Sequence, residues 1–123
     1  MGIEYTINIS KDALNDITSI KRYFLNTFKY REYAQNFSIK IKKSIQKLKL
    51  FPRANKKTEY SIERLDIYYK TCDTYLIFYV VRDQTITVIR ILKDRMYWQK
   101  VMEQTQNHLT VVKYYGTILQ KKI

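Results

Sequence analysis

Residues 75–82 read Tyr-Leu-Ile-Phe-Tyr-Val-Val-Arg. Seven apolar residues in a row, mostly aromatic or β-branched, suit a strand buried on both faces at the centre of a sheet. Asp83-Gln84 makes a tight turn after it. The β-branched run from Thr85 to Leu92 then reads as the second strand of a hairpin. On the other side, Ile62 to Tyr69 is expected to be a further strand, with Cys72 in the turn between strands. Arg53 to Tyr60, upstream again, reads as a polar, basic loop.

The N-terminal part changes period. Glu4 to Ile9 alternates, with Tyr5, Ile7 and Ile9 on one face, and predicts a strand. Ser10 is placed to cap a helix, and Asp12 falls in the first turn, where the helix dipole favours it. Ala13, Leu14, Ile17, Ile20, Phe24 and Leu25 then form a helical stripe. A break near Asn26 to Lys29 separates this helix from a second, Tyr30 to Leu50, with Tyr33, Ala34, Phe37, Ile41, Ile45 and Leu48 inward. Pro52 ends it. A short connection implies an antiparallel helical hairpin. Towards the C-terminus, Arg95 to Gln104 is predicted helical. After a polar break at Gln104 to His108, the apolar residues from Val111 to Leu119 predict a short amphipathic tail helix. The expected fold is α+β: a helical hairpin packed on one face of a four-stranded, mainly antiparallel sheet (β-α-α-β-β-β-α). The other sheet face is left partly open, where sites usually form.

Composition narrows the function classes. The chain has 123 residues, 23 Lys plus Arg against 11 Asp plus Glu, and a formal net charge of +12. That length suits one domain, and no linker or internal repeat divides it. A single cysteine and a single histidine, Cys72 and His108, exclude an internal disulfide framework and a multi-Cys or multi-His metal site. No apolar run approaches the roughly 18–20 residues of a membrane span. No secretory signal is visible at Met1 to Tyr5. A cytoplasmic protein with no membrane partner is expected. From Tyr33 to Thr58 there is no acidic residue, while Lys40, Lys42, Lys43, Lys47, Lys49, Arg53, Lys56 and Lys57 lie there. Such a one-sign field attracts polyanions. It is equally what a solvated helix face or a docking surface for an acidic protein looks like.

Four local patterns resemble the RelE/ParE superfamily of toxins from bacterial type II toxin–antitoxin modules. They are Ser10 to Ile17 with Ile20 and Tyr23, Leu48-Lys49-Leu50-Phe51-Pro52, Tyr75 to Val81, and Arg90 to Trp98. The resemblance covers about Tyr5 to Met102. It implies a toxin domain over residues 1–102 and a C-terminal extension over 103–123. It also implies neutralisation by a cognate, small, acidic antitoxin, and no metal or other cofactor. Two activities share the fold. RelE-like members cut mRNA, usually on the ribosome; ParE-like members poison DNA gyrase without nuclease chemistry. The leading expectation is an mRNA interferase, with the gyrase poison as the alternative.

Metal-independent RNA cleavage needs a base for the 2′-hydroxyl, cations for the charged phosphorane, and an acid for the leaving oxygen. The resemblance points to Arg64, Lys93, Arg95 and Tyr97 as catalytic candidates. Arg64 matches a basic residue of the family's second strand and suits bidentate phosphate binding; an ion pair with Glu63 or Asp66 is the competing use. Lys93 stands where many members carry histidine. Arg95 lies at the basic turn after the last strand. Tyr97 is a candidate acid or stacking platform. Leu76 departs from the arginine usual in RelE-like nucleases. Lys43, Lys47, Lys56, Lys57 and Arg90 are candidate nucleic-acid contacts, the last because it shares strand parity with Ile86, Val88 and Leu92. Trp98 is expected to anchor the terminal helix in the core, and His108 is outside the family core.

Overall fold

The computed structural model describes residues 4–28, 31–94, 97–105 and 111–112. Strand β1 (Thr6–Ser10) leads into helices α1 (Lys11–Phe28) and α2 (Arg31–Lys47). Strands β2 (Lys56–Ile62), β3 (Leu65–Cys72), β4 (Tyr75–Arg82) and β5 (Thr85–Lys93) follow, then helix α3 (Trp98–Thr105) and a two-residue strand β6 (Val111–Val112). The sheet order is β2-β3-β4-β5-β1, with β6 added to the free edge of β1. Neighbours are antiparallel except β1 and β5, which run parallel. The helical hairpin thus carries the chain from β1 across to the far edge. The meander β2 to β5 brings it back beside β1.

The class is the one expected, but the sheet has five principal strands, not four. The additional strand, β2, begins within the segment read as a loop. Its residues Lys56 and Lys57 pair with Tyr69 and Tyr68. Only every other residue of an edge strand meets the core, and Lys-Lys-Thr-Glu carries little apolar signal, so cross-strand pairing makes this strand. Val111 and Val112 pair with Ser10 and Ile9, so they are strand and not the start of a tail helix. The rest of the expected tail helix, and His108, lie outside the described residues. Cys72 is the last residue of β3 and is buried.

Both faces of β4 are covered. Ile77, Tyr79 and Val81 pack with Ile17, Ile41 and Ile45 beneath the helical hairpin. Leu76, Phe78 and Val80 pack with Ile67, Ile89 and Met102 on the opposite side, where Trp98 and Val101 of α3 close over them. The face expected to stand partly open is therefore an apolar layer under α3. Trp98 is the anchor it was expected to be, its ring 5.2 Å from that of Phe78.

Local signals hold where a single turn decides them. The Ser10 hydroxyl accepts from the Ala13 N–H at 3.1 Å, a helix N-cap, and donates to the Ile89 carbonyl at 2.9 Å. At its end α2 tightens through three i−3 bonds, from the N–H groups of Leu48, Lys49 and Leu50, just before Pro52. The β2–β3 turn holds Glu63 and Arg64 at φ 51° and 68°, as a type I′ hairpin turn requires. That region costs a non-glycine residue about 1 kcal/mol. Arg64→Gly should accordingly raise stability by about 0.5–1 kcal/mol, read as a higher urea midpoint at unchanged slope.

Candidate functional site

Strand β5 outruns β1. The parallel register ends with Ile9 against Val88, so among the described residues β5 beyond that point has no strand on its β1 side. Side chains of the first helix and its cap take over. Ser10 covers the Ile89 carbonyl, and the Asp16 carboxylate accepts the Ile91 N–H at 2.9 Å. The same carboxylate holds Arg90 bidentately, Nε to Oδ2 at 2.7 Å and Nη2 to Oδ1 at 2.8 Å. Burial raises the Asp16 carboxyl above its ordinary value, against the opposing pull of Arg90 and the Ile91 amide. The Arg90 guanidinium stays charged beside it.

This clamp borders a concavity of about 420 Å³ with Ile20, Tyr23, Tyr75 and Lys93 on its walls. A second hollow of about 390 Å³ adjoins it, sharing Tyr23, Tyr75 and Lys93 and reaching Phe24, Tyr33, Asn36 and Lys40. The Lys93 ammonium sits 5.9 Å from the Tyr23 ring centroid, within cation–π reach. Tyr23 and Tyr33 are each about half exposed. The result is an aromatic groove at one end of the helical hairpin, with a cation on its wall.

Two of the predicted catalytic residues, Arg64 and Lys93, lie at opposite ends of the sheet. Arg64 lies in the β2–β3 turn, not within a strand. That turn shares an end of the sheet with Arg82, which pairs with Glu63 at 3.0 Å. Lys93 pairs with Tyr75 at the opposite end. The length of β3 separates the two ends, about 25 Å. Tyr97 is 83% exposed at the start of α3, and its side chain has no partner among the described residues. Arg95 lies outside the described residues. Leu76, at the position where nucleases of this kind carry arginine, is buried among Phe78, Leu92 and Trp98.

Of the candidate nucleic-acid contacts, Arg90 and Lys56 stand apart from the others. Arg90 is committed to Asp16, because a register shift between Phe78 and Tyr79 makes Ile89 an extra residue in β5. Past that bulge the alternation changes: Ile86, Val88 and Ile91 share the helix side, whereas Leu92 belongs to the other. The parity argument for Arg90 fails there. Lys57 lies opposite Tyr68 on the helix side of the sheet, and Lys56 opposite Tyr69 on the α3 side. Lys43 and Lys47 are exposed on α2.

Sequence reasoning missed two polar centres. Asp16 was legible only as a surface residue of α1, since nothing local marks it as the partner of a strand 74 residues away. The other centre is Tyr79. Its hydroxyl donates to the Pro52 carbonyl and accepts from Asn55 Nδ2 at 2.9 Å, pinning the loop after α2 to the central strand. Burial pushes the Tyr79 hydroxyl up to about 12 from an ordinary 10.0. The folded protein therefore keeps a proton that the unfolded chain releases. The associated stability is whole below pH 10 and is lost as pH rises through 12. Tyr79→Phe should cost about 1–3 kcal/mol at neutral pH by stranding these partners. It should also flatten the fall in melting temperature between pH 10 and 12.

The family model described as "ParE toxin of type II toxin-antitoxin system, parDE" matches residues 7–98. The chain belongs to this ParE toxin family. The match runs from β1 to Trp98, so it takes in the hairpin, the groove and the whole meander. Among solved structures, "Chromosomal ParDE TA system from P. aeruginosa" is similar with a TM-score of 0.62. Sequence identity to it is 13%, over 75% of this chain and 98% of that chain, so the likeness is one of fold. No curated protein matches. A ParE toxin is one half of a ParDE system, which implies a cognate ParD antitoxin for this chain. Among the described residues of the toxin no helix is long and apolar enough to cross a membrane.

Proposed function

We propose that this ParE-family toxin arrests growth by binding DNA gyrase, and that it does not cut mRNA. One observation carries the reading: Arg64 and Lys93, two of the cations proposed for RNA cleavage, occupy opposite ends of the sheet. Leu76, one residue from the Lys93 end and at the position where such a nuclease would carry arginine, is sealed under α3. A phosphorane cannot be stabilised by cations some 25 Å apart. The gyrase target itself is what the ParE resemblance implies.

The antitoxin has a fitting seat in the aromatic groove along α1 and α2. An acidic, amphipathic segment would lay apolar side chains against Tyr23, Tyr33 and Tyr75 and bring carboxylates to Lys93. The decisive experiment adds purified toxin to gyrase and relaxed plasmid, with RNA ends mapped in parallel after induction in cells. Inhibited supercoiling and trapped, linearised DNA with intact mRNA are expected. New mRNA 5′ ends with unimpaired supercoiling would sink the reading.

A further inference from the structure

Lysines from three elements, α2, β2 and β3, gather on one flank of the toxin, and their carboxylate partners are few. Lys40, Lys43 and Lys47 follow one stripe of α2. Lys40 meets Asp73, in the turn after β3, at 3.0 Å, which fixes the stripe towards the β3 side of the hairpin. Further along it, Lys43 and Lys47 have no carboxylate partner among the described residues. Alongside runs β3, whose half-buried Lys70 lies opposite Ile77 and therefore on the helix side of the sheet. Lys57 of β2 lies opposite Tyr68, on the same side. Its contact with Asp66 is loose, 3.8 Å between two exposed groups.

We propose that this flank, Lys43, Lys47, Lys57 and Lys70, binds the phosphate backbone of double-stranded DNA. The proposal deepens the gyrase reading by naming DNA as a second direct contact of the toxin at its target. Spacing supports it. Lys43 and Lys47 are one helical turn apart, about 6 Å, and Lys57 and Lys70 are diagonal neighbours on adjacent strands, about 7–8 Å apart. Both spacings are close to two phosphates of one DNA strand, which recur about every 3.4 Å of helix axis. Composition distinguishes the partner. Lysine is depleted from the cores of protein–protein interfaces, where aromatic residues dominate, whereas surfaces that bind the DNA backbone are dense in cations. The aromatic groove at the end of the hairpin has the first character and the lysine flank the second.

The test is fluorescence anisotropy of a labelled 20-base-pair duplex with the full-length toxin, without gyrase, at 50 to 200 mM NaCl. Four phosphate contacts predict about a 100-fold loss of affinity over that range. Lys43→Glu/Lys47→Glu should weaken binding at least tenfold at 50 mM and lower the salt slope by about 2. Lys57→Gln/Lys70→Gln, which reverses no charge, should lower the slope by a similar amount. Lys11→Glu/Lys100→Glu changes the net charge as much as the first variant but lies off the flank, and should retain the slope. The proposal falls if this control loses as much as the flank variants, or if their slopes do not change. It also falls if a single-stranded RNA of equal length, or phosphatidylserine vesicles, bind more tightly than the duplex. Because gyrase is absent, failed supercoiling inhibition with DNA binding intact would count against the gyrase reading alone.

Discussion

Asp16→Ala should lower the unfolding free energy by about 3 kcal/mol, with a fall in melting temperature of about 10 °C or more. The carboxylate does three things at once: it takes both nitrogens of the Arg90 fork and the Ile91 amide. Removing it leaves a largely buried guanidinium without a counter-charge and a strand N–H without an acceptor. Both costs exceed the loss of an ordinary surface ion pair, since the two side chains retain only 13% and 22% of their exposure. Asp16→Asn keeps an oxygen for the Ile91 amide and should cost less. Asp16→Ala/Arg90→Met should recover much of the loss, because it removes the stranded charge along with its partner. A double-mutant cycle in urea measures this coupling, and additive effects of the two single changes would refute the clamp. The β1 side of β5 should also become the first part of the sheet to exchange its amide hydrogens.

Phe78→Ala should be about as damaging, at 3–5 kcal/mol. Phe78 is fully buried and holds Trp98 and Tyr69 at 5.2 and 5.9 Å between ring centroids. It is the floor on which α3 stands. Its loss opens a cavity beneath a helix of only eight residues, held besides by Met102 and by Trp98 against Tyr60 and Tyr69. The expected signature is local as well as global: Trp98 fluorescence should shift to the red at denaturant concentrations below the main transition. If Trp98 emission and far-UV circular dichroism move together with an unchanged midpoint, α3 does not depend on this contact.

These two residues show which parts of the sequence were legible. Phe78 lies in an apolar run whose composition alone demands burial on both faces, and it is buried on both. Ser10, Pro52, the Trp98 anchor and most of the apolar stripes of α1 and α2 are equally local signals and appear where the pattern placed them; Leu25 and Tyr33, at the hairpin end where the helices run past the sheet core, are instead exposed. Strand β2 is different. Its residues are polar because an edge strand needs only occasional apolar contacts, so it became a strand by pairing with β3 and not by composition. Arg90 is different again. A single bulge at Ile89 reversed the parity from which its direction was read, and Asp16, far away in sequence, claimed it.

The sequence by itself determined the class of fold, the helical hairpin and the central strand, because helical period, capping and apolar runs are properties of neighbouring residues. It also determined the excess of positive charge, which is a property of composition alone. Only the tertiary structure decided what the charges can do together. Arg64 and Lys93 seemed members of one centre, but the length of β3 holds them apart. Nothing in the sequence groups Lys70 with Lys57, yet the register of β3 against β2 and β4 puts both on the helix side of the sheet. Cooperation between side chains depends on distance through space, and the register of the sheet sets that distance.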